Sequence, residues 1–179
     1  MNRQTVFTIG HSTREFDQLL TCLRNKAVNS LVDVRSFPSS RKYPQWNQDA
    51  IIKALPAEVH YNWIRELGGR RHTPAGMPSA NDGWRVKAFS HYADYMQTEE
   101  FHVGLAELMT ITQERIPAIM CSEAVPWRCH RRLITDALLV RGYDVQHIMS
   151  ERITRPASLT PFARVEGTEI TYPKEAIDD

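Results

Sequence analysis

The chain has 179 residues and a formal net charge of +1, a length that suits one domain with a substantial core and is too short for two ordinary ones. Hydrophobic residues make up 42% and charged residues 24%, which excludes a disordered chain, and no apolar run approaches the ~20 residues of a membrane span. The near-zero charge also excludes a global attraction to nucleic acid or membrane, so any binding depends on local patches. Three cysteines without a signal-peptide pattern predict reduced thiols in a cytoplasmic protein with no membrane partner.

The first half of the chain alternates strand and helix patterns. Short apolar runs predict strands over residues 6–9, 31–35 and 60–64. Ser12 and Glu15 have the spacing of a capping box, which predicts a helix beginning directly after Ser12. A loop with prolines and serines follows the second strand, and a short helix is predicted after it.

The second half begins with residues 68–86, which are rich in Gly, Pro, Ser and Asn and show no clear periodicity. Loops of this length are often lids or binding loops. The patterns that follow predict helices at 89–96, 99–113 and 129–141 and strands at 118–121 and 145–149. Gly142 is expected to terminate the last of these helices. The polar C-terminal extension, 151–179, has a hairpin pattern around Gly167.

Strands separated by helices predict a single α/β domain over residues 1–150, with a mostly parallel sheet of four to five strands flanked by helices. Ligands bind such sheets beyond the carboxyl ends of the strands. The first strand ends at His11, the second at Asp33 and Arg35, and the fourth at Cys121 and Glu123. The sequence therefore predicts a functional site at this edge of the sheet.

Four short motifs in this order resemble the domain-of-unknown-function 488 family, and the similarity runs from about residue 5 to 150. They are Thr8-Ile9-Gly10-His11-Ser12, Leu31-Val32-Asp33-Val34-Arg35 with Pro38, Leu67-Gly68-Gly69-Arg70, and Cys121-x-Glu123 followed by Cys129-His130-Arg131. The resemblance implies a compact α/β fold and marks these positions as site residues. It implies no reaction.

The segment 121–132 carries the strongest chemical signal. Cys129 is predicted at the start of a helix, where unpaired amides and neighbouring cations favour a thiolate. Cys121 ends a buried strand and is expected to be shielded, and the loop between the two cysteines is compatible with a reversible disulfide. The alternative is that Cys129 is an inert residue packed in the first helical turn.

The other candidates supply proton transfer and anion binding. His11 and Glu123 are predicted to move protons, and Asp33 is predicted to orient Arg35 or His11, although Asp33 and Arg35 also suit a purely structural pair. The forked guanidinium of Arg35 suits a phosphate or a carboxylate. The remaining predicted substrate-binding residues are Ser12, Arg70, His130 and Arg131.

These patterns favour an enzyme in which Cys129, Cys121, His11, Glu123 and Asp33 are catalytic and the substrate is an anionic small molecule or nucleic acid. No cofactor is predicted. Aromatic residues near cations suit stacking on bases, although such residues more often pack in a core: Tyr43, Trp46, Trp63 and Trp84. Two alternatives remain open, a non-catalytic module that binds the same anions and a structural zinc domain with ligands among Cys121, Cys129, His130 and His11.

Overall fold

A computed structural model describes residues 3–175, and it contains one α/β domain built on a six-stranded sheet. The strands are β1 (Thr5–Gly10), β2 (Ser30–Asp33), β3 (His60–Trp63), β4 (Pro117–Cys121), β5 (Asp144–Ile148) and β6 (Thr154–Pro156). They pair in the order β3-β2-β4-β1-β5-β6. The first five are parallel and β6 is antiparallel to β5, which confirms the mostly parallel sheet and adds a sixth strand from the C-terminal extension.

Five helices connect and cover the strands: α1 (Phe16–Asn25), α2 (Gln48–Ala54), α3 (Lys87–Tyr95), α4 (Glu99–Glu114) and α5 (Arg131–Leu139). Strands β2 and β4 are buried along their whole length, as continuous apolar runs in a parallel sheet require. Neighbouring residues of a strand point to opposite faces, so Leu31 joins the core under α1 and α2, whereas Val32 joins the core under α3, α4 and α5. Within residues 3–175, no helix has both the length and the hydrophobicity needed to cross a membrane.

The capping-box prediction at Ser12 is wrong. Helix α1 begins at Phe16 with Glu15 as its N-cap, and no side chain caps it. The backbone amides of His11 and Ser12 instead donate to the carbonyls of Cys121 and Ser122, at 2.9 and 3.1 Å. Strand pairing therefore continues past Gly10 and delays the helix, while Ser12 turns the chain with a positive φ of 47°.

Helix α5 begins at Arg131, two residues later than predicted. A 3₁₀ turn over Pro126–Arg128 leaves Cys129 extended, with φ −138° and ψ 154°, directly before the helix. The helix ends at Leu139, and Gly142 follows with φ +87°. Cys129 thus lies beside the first helical amides and not within the first turn.

The extension is packed against the domain. Its strands β7 (Arg164–Glu166) and β8 (Glu169–Thr171) form an antiparallel hairpin, with Gly167 at φ +63° in the turn. The fully buried Tyr172 then donates its hydroxyl to Asp136 at 2.8 Å. Its amide donates to Asn81 of the 68–86 loop, so this interaction also holds the loop in place.

Candidate active site

A cleft of about 770 Å³ lies at the carboxyl ends of β1, β2 and β4. Eight of the residues predicted for the site line it: His11, Ser12, Arg35, Arg70, Cys121, Glu123, Cys129 and His130. The other two, Asp33 and Arg131, lie beneath the surface with no exposed area. The predicted site residues did not include Arg128 or a group of hydroxyl-bearing residues, Thr13, Ser36, Ser39, Ser40 and Ser122. Their position in loops after β1, β2 and β4 was the available signal, because such loops reach the same edge.

Gly10 allows β1 to approach the loop after β4. A Cβ atom added at Gly10 would lie 1.6 Å from the carbonyl oxygen of Glu123, which is a severe overlap with backbone. Gly69 has a similar relation to His130, because an added Cβ would lie 2.6 Å from the imidazole Nδ1. Two of the glycines in the short motifs therefore bring the cysteine loop and His130 into place.

The sulfur atoms of Cys121 and Cys129 are 2.7 Å apart on the floor of the cleft. Both residues are buried, with exposed fractions of 2% and 5%. The Glu123 amide donates to the Cys121 sulfur at 3.3 Å, and the Arg131 amide donates to the Cys129 sulfur at 3.4 Å. The third cysteine, Cys22, packs in the core on the opposite face of the sheet.

Arg131 lies under the two sulfurs with its guanidinium fully buried. Its Nε donates to the Cys121 sulfur at 3.0 Å, and its two terminal nitrogens donate to the Thr8 hydroxyl at 3.0 Å and the Glu123 carbonyl at 2.7 Å. The ion pairs found within residues 3–175 do not include Arg131. A buried cation needs a compensating charge, and the adjacent pair of sulfurs is able to provide one as a thiolate. The predicted role of Arg131 in binding substrate does not fit this position, because its guanidinium faces the thiols.

Burial raises the pKa of Cys129, but the hydrogen bond with Cys121, the charge of Arg131 and the Arg131 amide together lower the pKa to about 7. For Cys121, burial and the adjacent Cys129 raise the pKa well above its ordinary value. Two sulfurs this close titrate as a pair, since a second negative charge beside the first is unfavourable. At pH 7, about half of the molecules therefore carry one thiolate on this pair of cysteines, and the other half carry none.

His130 is positioned to accept the Cys129 proton. Its Nε2 is 2.7 Å from the Val34 carbonyl, which can only accept, so Nε2 carries the proton and Nδ1 has the lone pair. Nδ1 lies 3.4 Å from the Cys129 sulfur. Burial lowers the pKa of His130, which keeps the ring neutral before the transfer. This arrangement resembles a nucleophile with an oriented base, a role that the sequence patterns did not assign to His130.

Asp33 holds Arg35 in place. Its two carboxylate oxygens accept from Arg35 Nε and Nη2 at 2.9 and 2.7 Å, and the Tyr61 hydroxyl donates to it at 2.6 Å. Asp33 therefore lacks access to a substrate, in contrast to its predicted place among the catalytic residues, and it orients Arg35, which is the role that the sequence predicted for it. Arg35 lines the cleft with its Nη1 facing His11.

His11 is buried beside Arg35 and stacks on Trp46 with ring centroids 4.9 Å apart. Arg35 Nη1 is 3.4 Å from His11 Nε2 and can only donate, so the proton of the imidazole lies on Nδ1, which donates to the Ser12 carbonyl at 3.0 Å. Burial lowers the pKa of His11 to about 4. His11 is thus neutral at pH 7, and both of its nitrogens already have partners.

The rim of the cleft carries exposed charges. Arg70 lies over the Phe37 ring at 5.6 Å, and its amide donates to the Ser36 hydroxyl at 2.8 Å. Arg71, the next cation, turns away and donates to the carbonyls of Gly68 and Arg65 at 3.1 and 2.9 Å. The cations of the cleft are therefore Arg35, Arg70 and Arg128, and its carboxylate is Glu123.

A second groove of about 530 Å³ meets the cleft at Phe89, which lines both. Trp127, 48% exposed, lies in this groove with three cations, Arg85, Arg132 and Lys174. Of the four aromatic residues that the sequence placed near cations, Tyr43 lines the cleft and Trp84 lines this groove with 8% exposure, whereas Trp46 is fully buried. Within residues 3–175, no three His, Cys, Asp or Glu side chains are arranged as a metal site.

The chain matches a family model described as Domain of unknown function DUF488 over residues 15–138. Neither a search of curated proteins nor a search of solved structures found a match.

Proposed function

Because this chain belongs to the DUF488 family, which is defined without an assigned reaction, we propose its function from the site itself: a thiol-dependent enzyme that acts on an anionic substrate such as a nucleotide or nucleic acid. The observation that carries the proposal is the buried Arg131 guanidinium in contact with a pair of cysteine sulfurs on the floor of a cleft. A cation placed there favours a thiolate at neutral pH. We place the protein in the cytoplasm, where thiols stay reduced.

In the proposed mechanism Cys129 is the nucleophile and His130 is the base. Nδ1 of His130 takes the thiol proton, and the Val34 carbonyl stabilises the imidazolium by accepting from Nε2. The proton held on His130 then returns to a leaving group, which preserves the proton balance. Cys121 donates a hydrogen bond to the thiolate. Glu123, exposed on the rim, is the second group available for proton transfer.

The substrate class follows from the charges around the thiols. Arg70 and Arg128 outnumber the one carboxylate of the cleft, and a guanidinium binds phosphate through paired hydrogen bonds. Arg35 is neutralised by Asp33, which takes its Nε and Nη2 and leaves Nη1 as its donor toward the cleft. Arg35 is held rigidly by Asp33, so it loses little conformational freedom on binding. The second groove adds the exposed face of Trp127 beside cations, a combination that stacks nucleobases and attracts their phosphates.

The test is the pH dependence of cysteine alkylation with and without candidate ligands. In a Cys22→Ser background, Cys129 should react with a midpoint near pH 7, and mass spectrometry should locate the adduct. Inorganic phosphate, a nucleoside monophosphate and a single-stranded oligonucleotide are then compared as protectants. Protection by any of them supports an anion site over the thiol, and a midpoint at or above pH 8.5 would remove the thiolate mechanism.

A non-catalytic anion-binding module is the second candidate, and the low exposure of both sulfurs favours it. It predicts salt-sensitive oligonucleotide binding that persists in the Cys121→Ser and Cys129→Ser variants and weakens in Arg35→Ala. Turnover of any substrate that is lost in Cys129→Ser decides for the enzyme. Metal analysis of the purified protein tests the zinc-domain alternative.

A further inference from the structure

We propose that Cys121 and Cys129 are a redox pair that forms a reversible intramolecular disulfide. Their sulfurs are 2.7 Å apart, close to the ~2.05 Å of a disulfide, and both are free thiols in this structure. Cys22 lies in the core on the other side of the sheet, so the pairing has one intramolecular solution. The inference goes beyond the proposed function because the pair reacts without any substrate.

The position of Arg131 determines how readily this disulfide is reduced. The guanidinium is fully buried and donates to the Cys121 sulfur at 3.0 Å, so it stabilises a negative charge on the thiol pair. Oxidation removes that charge and leaves the buried cation without it. Stabilising the reduced form of a cysteine pair makes its disulfide a stronger oxidant. We therefore expect a disulfide that small thiols reduce easily, unlike a structural one.

The oxidant is a hydroperoxide, ROOH. The Cys129 thiolate attacks one peroxide oxygen, the S–O bond forms, the O–O bond breaks, and ROH leaves after taking up a proton. Cys121 then attacks the Cys129 sulfenic acid, forming the S–S bond and releasing water with the Cys121 proton. In total two thiols are oxidised by two electrons and ROOH is reduced to ROH and water. Two molecules of a small thiol then reduce the protein disulfide to two thiols by exchange and become one small-molecule disulfide.

The consequence for the site rests on the proposed function. Cys129 lines the cleft, and a disulfide withdraws its sulfur from proton transfer to His130 and from attack on a substrate. Oxidation would therefore switch the enzyme off, and reduction would restore it. The cleft cations do not take part in the redox step, so anion binding should persist in the oxidised protein.

The experiment uses the full chain in a Cys22→Ser background, treated with equimolar hydrogen peroxide and then digested with trypsin without reductant. Cleavage after Arg115, Arg128 and Arg131 releases residues 116–128 and 129–131. We expect these peptides joined by a disulfide after oxidation and separate after treatment with a small thiol. Reaction of Cys129 to sulfinic acid without the joined peptides would overturn the proposal.

A glutathione titration at pH 8 tests the role of Arg131. With the Cys129 pKa near 7, ionisation to the thiolate favours the reduced pair by about tenfold at pH 8. Arg131→Met should lose this advantage and become half-oxidised at about a tenfold lower ratio of oxidised glutathione to the square of reduced glutathione. Arg132→Met is the matched control, since Arg132 donates to Thr160 and lies over Trp84. Arg131→Lys, which keeps the charge, should fall in between and serves if the methionine variant does not fold.

The two proposals can fail separately. Joined peptides with no ligand protection of Cys129 would leave a redox pair without the anion-site enzyme. Ligand protection with no joined peptides would leave the enzyme and overturn the redox pair.

Discussion

Replacing Arg131 by methionine tests the electrostatic argument on which both proposals depend. The methionine side chain is unbranched and reaches about as far as Nε of the arginine, and it removes the charge and the donors to the Cys121 sulfur, the Thr8 hydroxyl and the Glu123 carbonyl. Burial of the thiol pair remains, and burial by itself raises a thiol pKa. The midpoint for alkylation of Cys129 should therefore rise from about 7 to about 9 or above.

The size of the rate effect follows from that shift. At pH 7 the thiolate fraction falls from about one half to about one hundredth, a 50-fold loss. The less acidic thiolate is intrinsically more nucleophilic, by about eightfold for two pKa units when the Brønsted coefficient is about 0.45. The net expectation at pH 7 is alkylation about sixfold slower, together with the displaced midpoint.

The assay is the rate of alkylation by iodoacetamide between pH 5.5 and 10, in the Cys22→Ser background. Circular dichroism of each variant confirms that the protein is folded. Arg132→Met, on the same helix but away from the sulfurs, should keep a midpoint near 7. A midpoint unchanged in folded Arg131→Met would refute the reasoning, because the thiolate would then owe its stability to something else.

Gly10→Ala should lower the free energy of unfolding, measured in urea, by about 1–3 kcal/mol, because the added Cβ would lie 1.6 Å from the Glu123 carbonyl oxygen. Unchanged stability would show that the loop after β4 moves freely. Arg70→Ala should weaken oligonucleotide binding and reduce its salt dependence. Arg71→Ala should do neither, because the Arg71 guanidinium faces backbone carbonyls; equal effects of the two substitutions would contradict the assignment of Arg70 to the rim of the cleft. Acid should destabilise the fold through His11, since the unfolded histidine binds its proton near pH 6.5 and the folded one only near pH 4. Its contribution, about 3 kcal/mol, is present above pH 6.5 and lost as the pH falls to 4. Urea unfolding at pH 7 and 4.5 checks this: His11→Gln should reduce the pH dependence of the free energy of unfolding, and His147, whose pKa burial also lowers to about 4, should account for part of what remains.

The helices and strands were predicted well because their signals are local. Buried β2 and β4 read as continuous apolar runs, and each predicted strand overlaps an observed one within a residue or two at either end. The exceptions occur where a distant segment competes with a local signal. Ser12 has the residue type and spacing of a helix cap, but its amide pairs with the Ser122 carbonyl more than a hundred residues away, and that pairing prevails.

The candidate site also divides into features that local sequence signals predicted and features that depend on distant segments. The rule that ligands bind beyond parallel strand ends gathered His11, Arg35, Cys121 and Cys129 from the sequence, and the structure places all four on one cleft. The rule does not say which side chains face a substrate. Asp33 lies at the predicted edge of the sheet, but its carboxylate oxygens already accept hydrogen bonds from Arg35 and Tyr61.

The sequence by itself determined a mostly parallel sheet without β6, the order of its helices and strands along the chain, and the edge where the candidate site lies, because periodicity and strand ends are properties of neighbouring residues. Only the tertiary structure decided that two sulfurs meet above a buried Arg131, and that His130 presents its free nitrogen to Cys129. These depend on partners such as Thr8, which lies 123 positions from Arg131 in the chain. Hydrogen bonds and charge compensation act over a few ångströms, so their partners are chosen only once the fold has brought distant segments together.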